Sequence, residues 1–144
     1  AWYAERAGTC GQERFLWTYE VAADMYRTLG PLLARYHALV CPAFVTQEIR
    51  ADAMPWETIE VAGRTFDCDY QPSLLHAFNM IARLPIIAMP CGLGANGLPI
   101  AVQIVTRTYD DARAFRIAAA MEQQRPWFDS AERRPRSDGL RHAI

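Results

Sequence analysis

An α/β fold is predicted by three features of the sequence. Two short apolar runs, Leu84–Cys91 and Leu98–Val105, are rich in strand formers and bounded by Gly and Pro, the pattern of buried strands. A glycine-rich turn, Gly92-Leu93-Gly94-Ala95-Asn96-Gly97, joins them. Its Asn96-Gly97 is a strong hairpin dipeptide, because both residues tolerate positive φ. A helix-like segment, Asp111–Gln124, follows. The unit is strand–turn–strand–helix, and the rest of the chain is arranged around it.

The upstream elements follow in order. Residues 1–11 carry no clear period. From Gln12 to Leu29 the apolar positions Phe15, Leu16, Tyr19, Ala22, Ala23, Tyr26 and Leu29 recur at helical spacing. Gly30-Pro31 is expected to kink or break that helix, since proline lacks the N–H and crowds the preceding turn. A second helical stretch covers Leu32–Tyr36. Ala38-Leu39-Val40-Cys41 reads as a short buried strand ended by Pro42, and Ala43–Pro55 as a loop. Trp56–Val61 and Arg64–Phe66 alternate around Ala62-Gly63, which predicts a small hairpin. Pro72 suits the first turn of a helix through Ala82, with Leu74, Leu75, Phe78 and Ile81 on one face. Asp110 is the expected N-cap of the last helix, with Asp111 near its positive end; Arg125-Pro126 stops it. Residues 1–128 form part of one domain, and residues 129–144 a polar, solvated tail.

Composition narrows the function classes. The chain has 144 residues, 51% hydrophobic and 22% charged, which is globular composition with enough apolar content for a core. Its net charge of −1 supplies no global field for nucleic acid or an anionic membrane. No apolar run approaches the ~20 residues that span a bilayer. No signal-peptide pattern opens the sequence, and the start at Ala1 leads to the expectation of a fragment. All 15 basic residues are arginine. Mechanisms that need a lysine amine, including Ser–Lys catalysis and Schiff bases, are therefore excluded from this chain. The three serines, Ser73, Ser130 and Ser137, lie outside any turn that presents a nucleophile. Cys10, Cys41, Cys68 and Cys91 form no CxxC pair, and read as core thiols in a reducing, cytoplasmic setting.

Several patterns invite chemistry and fail on context. Gly92, Gly94 and Gly97 satisfy G-x-G-x-x-G, but a strand follows them where a dinucleotide site needs a helix. His37, His76 and His142 share no metal-ligand spacing. Cys91 paired with His76 is a conceivable hydrolase, yet Cys91 sits at a strand end with no helix start to lower its pKa. Asp67 and Asp69, and Asp110 and Asp111, suit solvated or capping roles better than acid–base work. Arg133, Arg134, Arg136 and Arg141 read as a charged tail rather than a phosphate site.

The central stretch carries Phe78-Asn79, Leu84-Pro85, Pro90-Cys91-Gly92, Gly97-Leu98-Pro99, Gln103, Asp111 and Glu122 in turn. In their order and spacing these resemble the C-terminal part of the amidase signature family. Tyr36–Pro42 resembles its strand before a Pro-Thr step, with Ala43 in place of Thr. The resemblance covers about Met25 to Asp129. Arg83, Ala101 and Thr106 depart from positions where the family usually carries Gly.

The resemblance implies an α/β fold, with a mixed β-sheet flanked by helices. It also implies an amide hydrolase acting on C–N bonds other than peptide bonds, through a Ser–Ser–Lys triad that this chain lacks. The chain is then a C-terminal piece, inactive by itself, without cofactor or metal, that supplies strands and one wall of the substrate funnel. Phe44 and His76 are the wall residues expected from it. The missing N-terminal part of the parent is the expected partner, and self-association of the piece is expected from its exposed edges. Two alternatives stay open. One is the A subunit of a glutamyl-tRNA(Gln) amidotransferase, weakened because Pro72 and Leu75 stand where that protein usually carries an acidic residue and a Thr. The other is a non-enzymatic self-associating module.

Overall fold

Successive side chains on a strand face opposite ways, and that alternation distributes two helices over the two faces of one sheet. The computed structural model describes residues 5, 8–47, 49–68, 71–72, 77–78, 84–130 and 133. In chain order these form helix α1 (Gln12–Arg35), strand β1 (Leu39–Pro42), the short strands β2 (Ile59–Val61) and β3 (Arg64–Phe66), the longer strands β4 (Ile86–Leu93) and β5 (Pro99–Val105), helix α2 (Asp111–Gln124), and a 3₁₀ turn at Trp127–Asp129. The architecture is α/β, as the sequence predicts.

The main sheet has the order β1-β5-β4, so β5 is central and both pairings are antiparallel. Leu39 and Ile86 both face Val105 in register, which puts all three on one side. There they join Leu33 and Leu84, with Met25, Tyr26 and Leu29 of α1 packed against them. Ile87 and Met89 lie opposite Ile104 and Val102, on the other side. That side receives α2, which packs on β4 and β5 and turns Ala114 and Ala118 inward. Ile104 and Val105 are each 0% exposed, one toward each helix, and anchor the layers. Each such side chain contributes about 1.5–3 kcal/mol by leaving water.

Helix α1 corrects one expectation. It runs unbroken through Pro31. An interior proline costs about 3 kcal/mol and removes one hydrogen bond. The helix survives because Leu33, two residues on, is only 5% exposed in the core cluster, with Leu29 beside it. Tertiary burial therefore outweighs the local breaker. The expected apolar stripe divides in two. Its C-terminal half packs on the sheet, whereas Phe15, Leu16, Trp17 and Tyr19 are exposed, with the Phe15 and Tyr19 rings edge to face at 5.5 Å.

The turns follow their residues closely. Ala62 and Gly63 both have positive φ, 52° and 75°, the type I′ pattern that a two-residue hairpin favours. At the β4–β5 connection only Gly97 is left-handed, at φ 76°. The Gly97 N–H donates to Gly94 O at 2.9 Å, the Gly94 N–H to Leu98 O at 2.8 Å, and Asn96 Oδ1 accepts from the Leu98 N–H at 3.0 Å. Asn96 thus serves through its side chain, and its backbone does not use the positive φ expected of it. The register slips between Pro90 and Gly92, making Cys91 the extra residue of a β-bulge.

Burial corrects the cysteine reading in part. Cys68 is buried, Cys41 and Cys91 are half-buried, and Cys10 is exposed; all four are free thiols. The strands are also less enclosed than expected, since Val40, Leu93 and Ile100 are exposed. Asp110 occupies the N-cap position of α2 without a side-chain capping bond. Its carboxylate lies 2.6 Å from Arg113 Nε instead, while its carbonyl accepts the Thr106 hydroxyl at 3.0 Å. The expected helix from Pro72 to Ala82 falls largely outside the described residues. Among the described residues no helix is long and apolar enough to cross a membrane.

Candidate functional site

Phe44 lies just past the end of β1. Pairing runs one residue beyond the strand, through the Ala43 N–H to Ala101 O at 2.8 Å, and the chain then leaves the sheet. Gln47 ties the departing loop back: its Nε2 donates to Leu98 O at 3.0 Å and to Pro99 O at 3.2 Å. Phe44, 36% exposed, therefore stands over the start of β5, in a 270 Å³ pocket shared with Gln47, Ile49, Leu98 and Ile100. Among the described residues no ionisable side chain lines that pocket. It can bind an apolar group and offer the Thr46 hydroxyl and the Gln47 amide, but among the described residues no acid or base lines it. His76, the other expected wall residue, and Asn79 lie outside the described residues.

A larger space opens on the α2 face of the sheet. It is a 760 Å³ groove whose floor is Met89, Pro90 and the bulged Cys91, and whose wall is Ile117, Ala120 and Met121 of α2. The bulged Cys91 lies in that floor, at the end of β4 where the register slips. Arg113, Ile117, Ala120 and Gln124 recur at helical spacing along one side of α2. His37, between α1 and β1, closes one end. Its Nδ1 lies 3.1 Å from Arg113 Nη1, and guanidinium can only donate, so Nδ1 accepts and Nε2 carries the proton. Arg113 Nε is buried and 2.6 Å from Asp110 Oδ2, close enough for an ion pair but not aligned as a hydrogen bond.

This geometry decides between readings of several sequence patterns. Cys91 lines the groove, but His76, the partner expected for it, lies outside the described residues; His37, which shares the groove, has its Nδ1 3.1 Å from Arg113 Nη1. Burial raises the Cys41 thiol above its ordinary range, which makes it less reactive, not more. Among the described residues no group of His, Cys, Asp and Glu could hold a metal. The glycines at 92, 94 and 97 close a hairpin and open no helix. The His37–Arg113 contact was not legible in the sequence. Its one local trace is the Asp110–Arg113 spacing at the start of a helix, which suits an ion pair.

Comparison with known proteins places the chain. The family model described as Amidase matches residues 3–115. Several curated relatives carry the name of the A subunit of glutamyl-tRNA(Gln) amidotransferase. One from Salinispora tropica is 33% identical over 115 residues, or 74% of this chain and 23% of the relative. Another from Thermosynechococcus vestitus is 30% identical over 114 residues, 76% of this chain and 22% of the relative. A third, from Brevibacillus brevis, is 51% identical over 43 residues, 30% of this chain and 9% of the relative. The chain thus spans less than a quarter of the length of each of these relatives.

Proposed function

Since the chain belongs to the amidase family, we propose that it is the C-terminal part of an amidase-signature hydrolase, which cleaves an amide to a carboxylate plus ammonia or an amine. The observation that carries this reading is the family match together with the order of Pro90-Cys91-Gly92, Gly97-Leu98-Pro99 and Gln103 on β4 and β5. The chain serves as scaffold and supplies no nucleophile. It contains no lysine, so the proton-moving member of a Ser–Ser–Lys triad comes from another part of the domain. Its contribution is three sheet strands and the Phe44 pocket as one wall of the substrate site. Free thiols and the absence of a cysteine pair support a reducing, cytoplasmic setting.

The upstream part of the domain is the proposed partner. Supporting this are the outer edges of β1 and β4, which no strand pairs among the described residues, and the exposed ridge of Phe15, Leu16, Trp17 and Tyr19 on α1. The same surfaces lead the chain to self-associate when it is alone. A second reading, the A subunit of a glutamyl-tRNA(Gln) amidotransferase, is favoured by the names of its relatives. The deciding experiment is ammonia release from simple amides, measured for the chain alone and for the chain co-expressed with the upstream coding region. Turnover only in the second case is expected. Turnover by the chain alone would overturn the scaffold reading. Glutamine-dependent amidation of glutamyl-tRNA by the reconstituted protein would select the amidotransferase.

A further inference from the structure

We infer that the groove between α2 and the bulged end of β4 binds a small amphipathic anion, a monocarboxylate carried on an apolar aliphatic or aromatic body. The volume of 760 Å³ lies within the ~300–1,000 Å³ of small-molecule sites. The interior is apolar: Met89, Pro90 and Cys91 below, Ile117 and Met121 at the side. The charged groups at its margin have one sign. Arg113, Arg116 and Arg125 line it with His37, and among the described residues no carboxylate does. Of the neighbouring acids, Asp110 pairs with Arg113 and offsets its charge, Glu122 accepts the Trp127 N–H at 2.8 Å, and Asp129 pairs with Arg133 at 3.3 Å, so the uncompensated charge at the rim is that of Arg116 and Arg125. Among the described residues Arg116 and Arg125 make no ion pair, and both are exposed at the mouth.

A ligand with an apolar body and one carboxylate satisfies both features. Its body displaces water from the floor, and its charge reaches the rim arginines, which suit a planar carboxylate. Arg113, held between Asp110 and His37, is oriented before the ligand arrives. The inference is independent of the hydrolase reading, because it needs no catalytic group and no upstream segment.

Isothermal titration of the full chain with phenylbutyrate tests it, beside the isosteric phenylbutylammonium and acetate. Saturable binding of phenylbutyrate is expected, with the ammonium analogue and acetate each at least about tenfold weaker. The double variant Arg116→Gln/Arg125→Gln is expected to weaken phenylbutyrate about tenfold and to flatten its salt dependence. Met121→Glu is expected to abolish binding. Thermal melts by circular dichroism establish that each variant is folded. Equal affinity for the ammonium analogue, an unchanged double variant, or no saturable binding would each overturn the inference. So would a groove closed by a second copy, seen as a dimer in sedimentation that Met121→Glu dissociates.

Discussion

Gln47 fills the space that a side chain on Gly94 would need. A Cβ built on Gly94 overlaps Gln47 Oε1, while Gln47 Nε2 holds Leu98 O and Pro99 O. Gly94 has no left-handed φ to demand glycine, so sterics alone explain the residue. Gly94→Ala is therefore expected to eject the Gln47 amide and lose both hydrogen bonds, at about 1–3 kcal/mol in urea denaturation. Gln47→Ala removes the obstacle together with the bonds. In that background Gly94→Ala should cost almost nothing further, a strong departure from additivity. Additive costs would show that the two residues do not compete for the same space.

Pro31 sits inside a helix that tertiary contacts hold together. Pro31→Ala restores a main-chain donor and removes the ring that crowds the preceding turn, so it should stabilise the chain by about 1–3 kcal/mol. The gain should appear as a raised denaturation midpoint with unchanged slope. A loss of stability would mean that the ring of Pro31 contributes packing that outweighs the restored bond.

Ala62 carries a left-handed backbone, φ 52°, at the first central position of the β2–β3 turn. A residue with a Cβ is strained there, and Asn tolerates the conformation because its side chain bonds locally. Ala62→Asn should stabilise the chain by about 0.5–1 kcal/mol, whereas Ala62→Val should destabilise it by at least as much. Equal effects from the two substitutions would argue against a left-handed turn in solution.

What could be read from the chain was local. The strand–turn–strand–helix unit was legible because hydrophobic period, glycine punctuation and the Asp110–Asp111 start all lie within one segment, and α2 spans Asp111–Gln124 as its sequence predicts. The Ala62-Gly63 hairpin was legible for the same reason. Phe44 could be placed in the loop after the first strand, but its pocket depends on Leu98 and Ile100 from a distant strand. Continuity through Pro31 was not legible, since it rests on Leu33 meeting Leu84 and Val105. Nor was the groove: His37 comes from the α1–β1 connection, Cys91 from β4 and Arg113 from α2, and the bulge at Cys91 is a matter of register between β4 and β5.

The thiols give a pH-dependent test of the burial pattern. Burial raises the pKa of Cys41 on β1 above its ordinary value, because the thiolate is poorly solvated there. Cys10 is exposed and Cys68 buried. Alkylation with iodoacetamide at pH 8, followed by peptide mass spectrometry, should modify Cys10 first, Cys41 more slowly and Cys68 last. The rate at Cys41 should rise at a higher pH than that of a thiol with the ordinary value, because burial raises its pKa. The sign for stability follows from the same shift. A folded-state pKa above the unfolded value favours the folded chain below the unfolded pKa, and that contribution is lost as pH rises through the folded value. Cys41→Ala should therefore lose less stability than the parent between pH 8 and pH 10. Identical pH slopes, or Cys41 reacting as fast as Cys10, would show that the Cys41 thiol is solvated and not half-buried on the sheet.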